Sequence, residues 1–234
     1  MADDRVLIIT GASSGIGAAT ARAAAAEGYR LVLGARREEP LDELASELGG
    51  GERAVAVRCD VTEWEDTERL AEAAIDRFGG FDAVFANAGF GATRGFLEES
   101  PDQWRSMVLT NVLGLAYTIR ATLPHLLDRD RGHYLITSSV AGRRALPGSL
   151  YSATKHAATA IGESLRAELR QMHENSSIRV TVIEPGSVDT PFFDNPPEGA
   201  LEDVDISRAV VWALSQPHHV DVNEILVRPS SQPT

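Results

Sequence analysis

Short apolar runs alternate with longer stretches of helical periodicity along most of this chain. Val6 to Ile9, Leu31 to Leu33, Ala54 to Val57, Ala83 to Phe85, Tyr134 to Ile136, Val180 to Ile183 and Glu224 to Val227 have the aliphatic, β-branched character of strands. Between them, Ala18 to Glu27, Glu65 to Arg77, Asp102 to Leu127 and Ser152 to Met172 read as helices, with apolar residues three and four apart. Short strands separated by helices of this length make a parallel sheet covered on both faces. The pattern predicts a single α/β domain over residues 1–234, with a doubly wound, seven-stranded parallel sheet. No repeat or low-complexity linker divides it. The stretch 191–201, rich in Pro, Gly and acidic residues, reads as a short loop insertion, and from Pro229 on the chain reads as a tail.

Composition narrows the classes of partner. With 22 basic against 34 acidic residues the net charge is −12, which argues against nonspecific nucleic-acid binding and against an anionic membrane surface. Cys59 is the sole cysteine and reads as the end of a buried strand. The chain enters an apolar run directly after Arg5, with neither a basic leader nor a stretch long enough to span, so a cytoplasmic location is expected. The histidines are scattered, and no metal site is expected.

In sheets of this kind ligands sit beyond the carboxyl ends of the strands, so the turns there matter most. After the first strand comes Thr10-Gly11-Ala12-Ser13-Ser14-Gly15-Ile16-Gly17, opening a helix. Its glycines let the backbone turn tightly and approach a diphosphate at a helix N-terminus. The spacing is GxxxGxG, without the Gly-Lys-Ser/Thr ending of a triphosphate loop. The second strand ends Ala35-Arg36-Arg37, where an acidic residue would bind a free ribose 2′-hydroxyl and arginine a 2′-phosphate. In so acidic a chain this pair points to NADP(H); the plain alternative is a solvated helix start paired with Glu38 and Glu39. Asp60-Val61 follows the third strand and can hold an adenine edge, and Asn87-Ala88-Gly89 follows the fourth, where the backbone would pass under a ribose.

The chain has a single lysine, Lys155, four residues after Tyr151. On a helix that spacing puts ammonium and phenol on one face, where the positive charge lowers the phenol's pKa. Thr137-Ser138-Ser139 ends the fifth strand just upstream, and a serine hydroxyl beside a phenol orients a carbonyl oxygen. No His-Asp partner accompanies it, which argues against acyl transfer. Asn111 lies inside the long helix after the fourth strand, either solvent-facing or in an internal bond.

These motifs, in this order, resemble the short-chain dehydrogenase/reductase family in its compact, Rossmann-type form, over nearly the whole chain. The resemblance implies a catalytic tetrad of Asn111, Ser139, Tyr151 and Lys155. It also implies a nicotinamide-end segment that includes Pro185, Gly186, Val188 and Thr190. The family's usual serine-to-tyrosine spacing would pick Ser138. The local Val-Ala-Gly context and the distance from Asn111 pick Ser139, with the loop from Arg143 to Leu150 one residue shorter. The implied reaction is carbonyl reduction and its reverse. Tyr151 moves the proton and Ser139 donates to the same oxygen. Lys155 binds the ribose and favours the phenolate, and Asn111 holds a water. Phe90, Gly91, residues 140–150 and Phe192-Phe193 are expected to shape the substrate pocket. Arg143 and Arg144 either offer an anion contact or are solvated or paired at a subunit surface. The C-terminal run resembles the serine/3-hydroxy acid dehydrogenase branch, with a 3-oxoacyl-thioester reductase as runner-up. A homodimer or homotetramer is implied, packed through the helices carrying Asn111 and Tyr151, where Ala157, Ala160 and Gly162 allow close approach. Sugar-nucleotide epimerases share the Tyr-Lys pair but carry a larger C-terminal part. A noncatalytic dinucleotide sensor or scaffold of the same fold is the other alternative.

Overall fold

The computed structural model describes residues 5–91, 95–147, 150–173, 176–191 and 198–232. Phe192-Phe193, part of the expected insertion and part of the 143–150 loop lie outside these. The chain alternates β1 (Val6–Thr10), α1 (Gly15–Ala26), β2 (Arg30–Ala35), α2 (Glu38–Glu47), β3 (Ala54–Arg58), α3 (Trp64–Phe78) and β4 (Ala83–Ala86). It continues with α4 (Pro101–Val108), a π turn (Leu109–Leu113), α5 (Gly114–Asp128), β5 (His133–Thr137), α6 (Tyr151–Gln171) and β6 (Arg179–Pro185). The short strands β7 (Val188–Asp189) and β8 (Leu201–Glu202) precede α7 (Asp203–Ser215) and β9 (Glu224–Val227). Seven strands form one parallel sheet in the order β3-β2-β1-β4-β5-β6-β9. Each expected strand appears, extended by at most two residues at either end.

Side chains alternate across the pleat, so each strand feeds both faces. Leu7, Ile9, Leu31 and Leu33 pack under α1, α2 and α7, against Ala21, Leu41 and Val210. Ile8, Val32, Val84 and Tyr134 pack on the other face under α3, α5 and α6, against Leu70, Ile119 and Leu165. Burying each aliphatic side chain of this kind is worth roughly 1.5–3 kcal/mol. Strand order reverses between β1 and β4, and the crevice at their carboxyl ends is where such sheets bind ligands. Among the described residues no helix is long and apolar enough to cross a membrane.

Three expectations change here. The helix read as continuous from Asp102 contains the π turn, which swings Asn111 fully inside. Met172, the expected last residue of its helix, follows the last turn of α6 and is exposed. Gly162 serves the sheet instead of a second subunit, because a Cβ there would lie 2.7 Å from Val182 Cγ2.

His133 makes a pH prediction. Thr181 donates to Val222 O (2.6 Å), so His133 Nε2–H donates to Thr181 Oγ1 (2.7 Å) and buried Nδ1 has no described partner. Burial, then Arg179, holds the imidazole well below its ordinary value. The folded state therefore binds fewer protons than the unfolded one, and stability falls as pH drops below about 6.5. We expect this group to cost about 1.4 kcal/mol per pH unit there. Chemical denaturation of His133→Gln should show a shallower acid slope; an unchanged slope contradicts the assignment.

Candidate active site

A cleft of about 650 Å³ opens at the carboxyl ends of the strands, a volume typical of small-molecule sites. Its first wall is the turn after β1. A Cβ on Gly17 would lie 2.3 Å from Gly11 O, and one on Gly11 2.9 Å from Ala88 Cα, so both positions exclude side chains. Thr10 Oγ1 accepts from Asn87 N (3.0 Å) and Ala88 N (3.1 Å), tying this turn to the one after β4. Asn87 Nδ2 donates to Thr10 O (3.3 Å), while its Oδ1 accepts from Thr137 Oγ1 (3.0 Å). Asn87 thus stitches β1, β4 and β5 together through its side chain. Thr190 crosses to the same turn, its Cβ 3.1 Å from where Gly15 would carry one.

The far end of the cleft is basic. Arg37 Nη2 donates to Ser14 Oγ (2.8 Å) and Ser13 Oγ (3.1 Å), and Arg36 lines the cleft with an exposed side chain. Glu38 pairs with Arg58 (3.6 Å) and neither Glu38 nor Glu39 pairs with Arg36 or Arg37, so the solvated helix-start alternative loses its ion pairs. Ala35 is buried and offers no acid. Asp60 Oδ1 accepts from Thr62 N (3.1 Å) and Thr62 Oγ1 (2.9 Å), and Asp60 N donates to Asp66 Oδ2 (2.8 Å). Val61 and Cys59 complete this wall, the thiol pushed up to about 12 by burial and by Asp66 and Asp60.

The near end gathers Ser139, Tyr151, Lys155, Pro185, Gly186 and Val188. Ser139 hydrogen-bonds Tyr151, accepts from Ala141 N (3.1 Å) and lies 3.4 Å from Pro185 O. Ser138 faces the other way. Its Oγ donates to Lys155 O (2.9 Å) and lies 2.7 Å from Thr159 Oγ1, locking β5 to α6. Asn111 donates to Phe90 O (3.0 Å) and Thr154 Oγ1 (3.1 Å) and accepts from Phe90 N (3.1 Å), which excludes the solvent-facing alternative. Lys155 Nζ donates to Thr137 O (3.0 Å) and stands 5.7 Å from the Tyr151 ring centroid.

The expected electrostatics need correcting. Burial pushes the Tyr151 phenol up to about 12, and only the Ser139 bond pulls the other way. Burial likewise brings Lys155 down to about 8. Close placement of the two groups does not by itself produce a phenolate, because both are shielded from water. Arg143 is also not an anion contact in the cleft. Its Nε donates to Glu184 Oε2 (2.7 Å), its Nη2 bonds Glu224, and the buried Glu184 carboxyl is held above its usual value by burial despite that arginine.

Sequence reasoning named most of the cleft but missed Gln232, and it gave no role to Thr10, Thr137 and Thr154, which brace the walls. The two strand-end threonines, polar residues closing apolar runs, were the readable signal. Gln232 had none.

Known proteins with this architecture share it from end to end. The family model described as short chain dehydrogenase matches residues 5–199. A Listeria monocytogenes protein described as an uncharacterised oxidoreductase is 39% identical, the match covering 98% of each chain. A closed form of serine dehydrogenase complexed with NADP+ superposes with a TM-score of 0.88 at 29% identity, covering 98% of this chain and 96% of the other. A short-chain dehydrogenase/reductase from Burkholderia phymatum in complex with NAD superposes with a TM-score of 0.86 at 28% identity, covering 96% and 89%.

Proposed function

The chain belongs to the short-chain dehydrogenase/reductase family, an oxidoreductase of carbonyl and alcohol groups, and from that premise we propose that its dinucleotide is NADP(H). The observation that carries the choice is the basic end of the cleft. Arg36 stands exposed with no described partner, Arg37 is braced on Ser13 and Ser14, and Ala35 replaces the acid that a free 2′-hydroxyl needs. The turn glycines leave room for a diphosphate against the α1 N-terminus, Asp60-Val61 would hold the adenine edge, and Asn87-Ala88-Gly89 would support the ribose. Pro185, Gly186, Val188 and Thr190 would hold the nicotinamide end.

When bound, the dinucleotide supplies or accepts the hydride. The protein's part is placement and proton transfer. Tyr151 gives the proton to the carbonyl oxygen in reduction and takes it back in oxidation, and Ser139 donates to the same oxygen. Lys155 holds the ribose hydroxyls and its charge opposes the cost of the phenolate. Asn111 fixes the turn at Phe90. Its side chain is engaged there, so the water proposed for Asn111 would have to be held by another of its atoms.

We propose small or medium ketones, aldehydes or 3-oxo acids as substrates. Phe90 and Gly91 line the cleft beside Leu146 and Pro147 and give an apolar flank. The proposed assembly is a cytoplasmic homodimer or homotetramer; Trp212 and Leu226, half-exposed on α7 and β9, offer apolar surface for a second subunit.

Initial rates followed by nicotinamide absorbance test the choice of dinucleotide. Replacing Arg36 and Arg37 together by alanine should raise the KM for NADPH about ten- to a hundredfold, the worth of charge-assisted bonds. The KM for NADH should hardly change. A wild-type preference for NADH would refute the role of the arginine pair.

A further inference from the structure

Beyond β9 the chain does not trail away as the sequence suggests. Gly186 N donates to Val227 O (2.7 Å), Gln232 N closes a turn onto Pro229 O (3.0 Å), and Ser187 N donates to Gln232 Oε1 (3.0 Å). Gln232 therefore lines the same cleft as Ser139, Tyr151 and Pro185. The fit is close, since a Cβ on Gly186 would lie 2.2 Å from Gln232 Oε1 and 3.0 Å from Pro229 Cδ. A side chain at 186 would displace the Gln232 carboxamide and press on Pro229 and Arg228.

The bond to Ser187 also fixes which way the carboxamide faces. A backbone N–H can only donate, so the atom against it is the oxygen. What remains is an amino group with two donors and no acceptor capacity. Among the described residues none accepts from it. Gln232 is half-buried and lines the cleft, so this amino group is open to water or to an acceptor oxygen of a ligand.

The geometry points to Gln232 as a ligand-contacting residue, donating Nε2–H to an acceptor oxygen bound at the Pro185–Val188 end of the cleft. That oxygen belongs either to the substrate, beyond its reacting carbonyl, or to the nicotinamide carboxamide. The inference rests on the dinucleotide-dependent reading above and adds to it a source of specificity: a substrate with a second oxygen gains a partner that a plain ketone lacks.

Two full-length variants test it. Gln232→Glu keeps the length and the acceptor for Ser187 but replaces the donor, whereas Gln232→Ala removes both. NADPH binding is read by fluorescence, KM and kcat with a 3-oxo ester and with a simple ketone, and Tm by thermal unfolding. We expect both variants to lose about three- to tenfold in the same parameter, the worth of one neutral hydrogen bond, with the Tm of Gln232→Glu unchanged. A rise in the NADPH Kd assigns the oxygen to the nicotinamide, and a rise in the KM for the oxo ester alone assigns it to the substrate. Loss in Gln232→Glu alone would be charge repulsion, and loss in Gln232→Ala alone would be loss of the Ser187 strap. Either of those, or no loss in either variant, overturns the donor role. If the wild-type protein binds neither NADPH nor NADH, the parent reading falls and this one with it.

Discussion

Tyr151→Phe should lower kcat about a thousandfold or more in both directions while leaving the NADPH Kd within about twofold, because positioned proton transfer supplies about 10²–10⁴ of the rate. The substitution deletes one oxygen and keeps the ring, so the packing at the start of α6 and the place of Lys155 Nζ, 5.7 Å from the ring centroid, survive. The loss then reports the proton donor and little else. The raised phenol adds a directional signature. Burial holds Tyr151 up to about 12, with the Ser139 bond opposing, so the ligand-free group is protonated at neutral pH. Reduction consumes that proton and oxidation needs the site to release it. Wild-type oxidation should accordingly climb with pH between about pH 6 and 10, while reduction does not. The climb should disappear in the variant. Turnover near the wild-type level in Tyr151→Phe would remove the tyrosine from the mechanism and leave the dinucleotide assignment standing.

The sheet and the cleft were legible for a simple reason: strands buried on both faces must be nearly all apolar, and ligand turns sit where those runs stop. Gly11, Asn87 and Ser139 come just after those stops, Gly17 and the Tyr151-Lys155 pair sit on the helices that come next, and their order along the chain maps onto the order of the walls. Contacts that cross the fold were less legible. The π turn at Asn111 has no period of its own in a window dominated by helix. Arg143 stands next to the cleft in sequence, but its partners Glu184 and Glu224 come from β6 and β9, 41 and 81 residues away. Gln232 acts through a backbone amide at Ser187, which carries no sequence identity at all. The phenol's pKa was misread because spacing shows that a charge is near but not how much water has been excluded around both groups.

That exclusion of water makes Lys155 the residue where stability and activity part most clearly. Its ammonium is buried, brought down by desolvation from an ordinary 10.5 to about 8, and among the described residues its acceptor is Thr137 O at 3.0 Å. A folded value below the unfolded one means that folding disfavours the charged form. The cost is full below about pH 8 and fades as pH rises towards 10.5. Lys155→Met removes that cost and loses one bond to Thr137 O, so it should stabilise the protein at pH 7 by roughly 1–3 kcal/mol. It should also abolish turnover. The stabilisation should shrink above pH 8, where the wild-type ammonium is neutralised. Lys155→Arg separates charge from shape. It keeps the positive charge but needs a planar fork with several acceptors. A Cβ on Gly89 would already lie 3.5 Å from Nζ, and the pocket was built around one compact group. We expect kcat/KM to fall by at least about a hundredfold, as for a misplaced group in a positioned site. Denaturation curves and steady-state rates on the same preparations decide it. If Lys155→Arg retained most of the activity, charge alone would suffice. If Lys155→Met were less stable at pH 7, the buried ammonium would be holding the fold together instead of being tolerated for its chemistry.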